Sequence, residues 1–165
     1  MINIDFYTDY EDDKKVSKYN KFLEEYEEKI NKIIAEALKL NDINIENVYL
    51  GIGVVTPEEI HRLNNEFRNV DKATDVLSFP MFTEEELKNI GSTYVKEELS
   101  IGDIVICLEV IEKQAEEYNT GFNREMLYMI THGICHLLGF DHIVEDDKLK
   151  MREMEEKILS KIGEI

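Results

Sequence analysis

Over Ile2–Tyr7 the residues Ile2, Ile4 and Phe6 alternate with Asn3, Asp5 and Tyr7, the two-residue period of a half-buried strand. The period then changes. From Lys14 to Leu40, apolar Val16, Tyr19, Leu23, Tyr26, Ile30, Ile33, Ile34, Ala37 and Leu38 return at helical spacing. This predicts one long amphipathic helix, or two in series, with its stripe turned to the core. Asn41-Asp42 ends it, and Val48, Leu50, Ile52 and Val54 restore the alternation as a second strand through Val55.

Thr56-Pro57-Glu58-Glu59 carries agreeing helix-start signals: Thr56 can cap, Pro57 suits the first helical position, and Glu59 completes a capping box. That helix turns Ile60, Leu63 and Phe67 inward and delivers Arg68 near its end. Val76–Phe79 reads as a strand stopped by Pro80, residues 81–100 as an irregular, acidic and mobile loop or flap, and Ile101–Cys107 as a fourth strand. Helices are expected over Leu108–Tyr118, Asn123–Leu138 and Asp146–Ile162. With no repeat, low-complexity tract or linker, residues 1–165 form a single α+β domain. Its expected architecture is a small mixed four-stranded sheet packed with about five helices.

Composition narrows the function. Hydrophobic residues make up 43% of the chain, which excludes a mainly disordered protein. No apolar run approaches the ~20 residues that span a bilayer, and Met1-Ile2-Asn3-Ile4-Asp5 lacks a secretory leader pattern, so no membrane role and a cytoplasmic location are expected. Cys107 and Cys135 sit among apolar residues and read as reduced core thiols, although Cys135 follows His132 closely enough to approach a metal. The net charge of −17 argues against gripping nucleic acid by bulk electrostatics, without excluding a nuclease whose charges are segregated.

Three of the four histidines lie in His132-Gly133-Ile134-Cys135-His136-Leu137-Leu138-Gly139-Phe140-Asp141-His142. On a helix, His132 and His136 are one turn apart on one face. Gly139 can adopt the positive φ that ends a helix and turns the chain so that His142 meets the other two. Three imidazoles leave a tetrahedral ion one open position, the catalytic pattern, and zinc is the first choice for an all-nitrogen site. Because the ligands must be neutral, metal binding should weaken in acid. The spacing also matches the metzincin peptidase frame, but Gly133 stands where those enzymes carry their glutamate base, so a peptidase is a poor reading. Asp141 is either a hydrogen-bond partner of a ligand imidazole or a solvent-facing residue. His61 reads as a solvated helix residue.

The run Met129–His142 resembles the signature of the YbeY endoribonucleases, bacterial rRNA-maturation factors. Leu63-Asn64-Asn65-Glu66-Phe67-Arg68-Asn69-Val70-Asp71, Lys72-Ala73-Thr74-Asp75-Val76-Leu77-Ser78-Phe79-Pro80 and Gly102-Asp103-Ile104-Val105-Ile106-Cys107 extend the resemblance in the same order. The usual proline before Thr-Asp is Ala73 here, which predicts a looser turn. The resemblance implies a small central sheet, with the His-bearing helix behind a metal site. It also implies a metal-dependent endoribonuclease of single-stranded RNA, acting on rRNA precursor including the small-subunit 3′ end. Arg68, by itself an ordinary helix-end cation, would line the active-site cleft, where a guanidinium fork suits a phosphodiester oxygen. Lys72 and Arg62 could extend a basic strip, while Asp75 and Asp103 read first as turn residues.

Two other functions fit the same residues. One is a metallohydrolase acting on a peptide or small amide. The other is a non-catalytic, metal-binding ribosome-biogenesis factor, which the acidic charge favours because contact would run through ribosomal proteins or a ribosome-associated GTPase. A structural metal usually has four protein ligands, and three favour catalysis.

Overall fold

The structure, a computed structural model, describes residues 1–91, 97–141 and 144–164. Ten elements occur among them in the order β1 (Ile2–Thr8), α1 (Asp13–Leu40), β2 (Val48–Val54), α2 (Pro57–Arg68), β3 (Val76–Pro80), α3 (Glu84–Gly91), β4 (Leu99–Ile106), α4 (Leu108–Glu117), α5 (Phe122–Leu137) and α6 (Glu145–Lys161). The fold is α+β.

The four strands form one mixed sheet in the order β1-β2-β4-β3, with β3 antiparallel to β4 and the other neighbours parallel. Alternation along β4 divides the core. Ile104 and Ile106 enter the main cluster with α1 and α5, whereas Val105 joins Leu77, Val55, Ile60 and Cys107 in a smaller cluster that includes α2. Helix α5 is central and contacts β3, β4, α1, α4 and α6.

The long helix is one element of 28 residues, capped where Asp12 accepts the amides of Lys14 and Lys15. Thr56 caps α2 as expected, its Oγ1 accepting the amide of Glu59. The other half of the expected box is different. Glu59 turns to Arg62, and Asp9 from the turn after β1 instead accepts both the Thr56 amide and hydroxyl, at 2.9 and 3.0 Å.

The segment expected to be an irregular flap contains α3. Thr83 Oγ1 accepts the Glu86 amide while Glu86 receives the Thr83 amide, a reciprocal capping box, and Leu87 anchors the helix with no exposed surface. Within the same segment β4 starts at Leu99, and Asp103 lies mid-strand, in register with Gly51 and Phe79, rather than in a turn. A register shift between Tyr49 and Leu50, opposite the positive φ of Gly102, is what resembles a turn in the sequence.

Candidate active site

Arg68, Thr74, Asp75, Val76, Ser78, Tyr128, Met129, His132, His136, Lys148, Met151, Arg152 and Glu155 enclose a cleft of about 400 Å³. Its floor is α5, one wall is α6, and the other is the segment from the end of α2 into β3.

Two features place α5. At Gly133 the helix lies directly on the sheet: a Cβ there would stand 3.1 Å from Ile104 Cγ2 and 3.3 Å from Ser78 Oγ. Ser78 Oγ donates to the Gly133 carbonyl at 3.2 Å. Any side chain at this position would press on Ile104, so glycine lets α5 sit close on the sheet. The second feature is the helix end. Gly139 has φ +98°, its amide bonds to His136 O, and the Phe140 amide bonds back to Cys135 O. These are the paired bonds of a Schellman turn, with glycine at the left-handed position.

That turn also orients an imidazole. The Phe140 carbonyl it presents accepts from His136 Nδ1 at 2.9 Å. A carbonyl can only accept, so His136 is protonated on Nδ1 and presents the lone pair of Nε2. His132 repeats the arrangement with a different partner, its Nδ1 lying 3.0 Å from Glu155 Oε1. The two rings stand nearly perpendicular, at 87°, with their Nε2 atoms 3.2 Å apart. Two nitrogens bound at ~2.05 Å to one tetrahedral ion are about 3.3 Å apart, so this pair has the bite of a shared metal. Its donor set therefore fits zinc. His142, the third expected ligand, lies outside the described residues. Among the described residues no group of three His, Cys, Asp or Glu side chains could hold a metal.

Arg68 closes α2 and lines the cleft with an exposed side chain. The turn after it is fixed by Asn69 in the left-handed region and by buried Asn64, whose Nδ2 donates to Lys72 O at 2.9 Å. Asp75 Oδ1 takes the Val76 amide at 2.8 Å, and its carbonyl takes the Cys107 amide. With Ala73 in place of a proline, these polar groups hold the turn. Asp75 thus has the structural role read from sequence while facing the cleft.

The expected basic strip is redrawn. Arg62 is clamped between Glu59 and Glu66, at 2.6 and 2.7 Å, and does not line the cleft. Lys148 and Arg152 on α6 do, opposite Arg68. Neither stood out in the sequence, because α6 has acidic residues throughout. No ion pair of Arg68 or Lys148 occurs among the described residues. His61 pairs with Asp71 at 2.7 Å on the surface, and Asp141 is exposed. Cys135 has no exposed surface, and burial raises its thiol far above the usual range, as expected of packing. Burial, and then the neighbouring Glu155 carboxylate, likewise raise the Tyr128 phenol.

A family model described as endoribonuclease YbeY matches residues 10–163. The chain belongs to this family. Among YbeY relatives, the endoribonuclease YbeY of Clostridium botulinum strain Alaska E43 is 43% identical over 147 residues, covering 83% of this chain and 88% of that one. The endoribonuclease YbeY of Fusobacterium nucleatum is 42% identical over 158 residues, covering 94% of each. The solution structure of TM1509 from Thermotoga maritima superimposes with a TM-score of 0.55 at 28% identity, over 98% of this chain and 91% of that one. The YbeY match spans every element that lines the cleft. No helix among the described residues is long and apolar enough to cross a membrane.

Proposed function

We propose that this chain is a metal-dependent endoribonuclease that cuts single-stranded RNA in the cytoplasm. Its substrate is rRNA precursor, including the 3′ end of the small-subunit rRNA, and it also serves ribosome quality control. Family membership supports the reaction class. The observation that carries the site is the Nε2 pair of His132 and His136, 3.2 Å apart in a cleft that also holds Arg68.

His132, His136 and His142 hold one divalent ion, zinc by donor type. When bound, that ion supplies Lewis acidity toward a water and a phosphoryl oxygen. The chain's own residues do the rest. Phe140 O orients the His136 imidazole through Nδ1. Arg68 presents its fork to a non-bridging oxygen of the scissile phosphate and neutralises the charge that builds there. Lys148 and Arg152 take neighbouring phosphates on the opposite wall. This local concentration of cations answers the overall charge of −17, which keeps bulk attraction to RNA weak. Ribosomal proteins or a ribosome-associated GTPase then deliver the enzyme to its substrate.

The test is cleavage of a labelled single-stranded RNA by wild type, His136→Ala and Arg68→Ala, with metal content and circular dichroism on the same samples. Wild type cuts, and both variants remain folded and inactive. Equal cutting by all three would overturn the reading and favour a non-catalytic assembly factor.

A further inference from the structure

The buried positions of α6 are Met151, Glu155, Ile158 and Leu159, a helical stripe that faces the core. An apolar residue would continue it at 155. Instead a carboxylate with only 3% of its side chain exposed occupies the position. Oε1 meets His132 Nδ1 at 3.0 Å, and the carboxylate also acts on the Tyr128 phenol, which burial raises first and Glu155 raises further through side-chain hydrogen bonding and charge. A buried carboxylate is costly for the fold unless polar partners hold it. It meets His132 at Nδ1, away from the Nε2 pair, so it stands behind the imidazole and is not a ligand.

We propose that Glu155 is a positioning residue for the metal site. It accepts the His132 Nδ1 proton, fixes the tautomer that aims the Nε2 lone pair at the ion, and makes the imidazole a stronger donor. His136 receives the same orientation from a neutral backbone carbonyl, so Glu155 supplies the only charged partner behind either ring among the described residues. This rests on His132 and His136 being metal ligands.

The test uses the full chain stripped of metal, with the zinc ion as probe. Long-range nitrogen–proton NMR reads the ring tautomers, and competition with a chromophoric chelator reads zinc affinity. In wild type, His132 carries its proton on Nδ1. Glu155→Gln, which keeps the shape and loses the charge, stays folded and binds zinc about 10- to 100-fold more weakly. Glu155→Met, which removes the acceptor, also loses the fixed tautomer. A wild-type His132 protonated on Nε2, or a Glu155→Gln chain binding zinc within about twofold of wild type, overturns the proposal. If Glu155→Met does not fold, the wild-type spectrum and the Glu155→Gln titration still decide. His136→Ala separates the two readings. If it binds zinc like wild type, the metal site itself is wrong; if it loses zinc while Glu155→Gln keeps it, only the positioning role falls.

Discussion

His136 Nδ1 donates to the carbonyl of Phe140 at 2.9 Å, across the turn that ends α5. The orientation of the His136 ring and the helix terminator are therefore one device. Gly139 bends the chain back, and the bend carries Phe140 O to the imidazole.

Gly139→Ala should damage both functions together. Its φ of +98° is unfavourable for alanine, and the new Cβ would stand 2.6 Å from Glu84 Cβ. A stability loss of about 1–3 kcal/mol is expected. Because Phe140 O moves with the turn, zinc affinity should fall beyond what the lower stability explains. Chemical denaturation and a zinc titration on the same variant check this. Unchanged affinity in a destabilised protein would separate the turn from the ligand.

Much of this was legible in the sequence because each signal was local. The strand alternation, the Thr56-Pro57 helix start, the positive φ at Gly139 and the one-turn spacing of His132 and His136 depend on neighbours within a few residues. The rest depends on distant contacts or on a local signal masked by the charge around it. Asp9 replaces Glu59 in the α2 cap from forty-seven residues away. Glu155 reaches His132 from another helix, in a segment so acidic that one more carboxylate carried no signal. Thr83-Glu84-Glu85-Glu86 was readable as a capping box, but the charge run around it suggested a loop. Arg62 and Arg68 look alike in sequence; only the placement of Glu59 and Glu66 tells the occupied guanidinium from the one at the cleft.

Gly133→Glu should not create a peptidase. Its Cβ would press on Ile104 at 3.1–3.2 Å, and a longer side chain would push α5 off β4. Overpacking of this kind costs about 1–3 kcal/mol, so the melting temperature should fall. RNA cleavage should fall with it, and no peptide hydrolysis should appear in a fluorogenic assay. A stable variant with normal RNA cleavage would show that the helix–sheet contact is less tight than the distances indicate.

Arg68→Ala is expected to lower kcat/KM for RNA about 10²- to 10³-fold with little change in melting temperature, since the side chain is exposed. Arg68→Lys should recover only part of this, because a point charge cannot reproduce the two-pronged guanidinium contact. Arg62→Ala is the control: its ion pairs lie on the surface and off the cleft, so activity should be nearly normal.

Lys148 and Arg152 make a separate prediction about salt. If each takes one phosphate, replacing either by alanine should reduce the slope of log affinity against log salt by about 0.7 for single-stranded RNA. Arg152 must first leave Glu156, 3.5 Å away, so its single substitution should weaken binding less than that of Lys148. Filter binding over a range of potassium chloride, with uncleavable RNA, measures both. Slopes equal to wild type would place the RNA elsewhere.

Alkaline pH should destabilise this protein through groups whose neutral form the fold favours. Burial pushes the Cys107 thiol up from 9.0 to about 11, and partial desolvation beside the Asp103 and Asp5 charges pushes the partly exposed Tyr7 phenol from 10.0 to about 12. In the unfolded chain these groups lose protons at their ordinary values, while the folded chain holds them. Below pH 9 neither state is favoured by these two groups. Between about 9 and 12 the unfolded state gains by releasing protons first, so stability falls as pH rises and the loss is complete above the folded values. Urea denaturation at pH 8, 9.5 and 10.5 should show a steadily falling midpoint. Cys107→Ala should flatten the first part of that fall, since it removes the group that titrates earliest, and an unchanged profile would assign the loss to other residues.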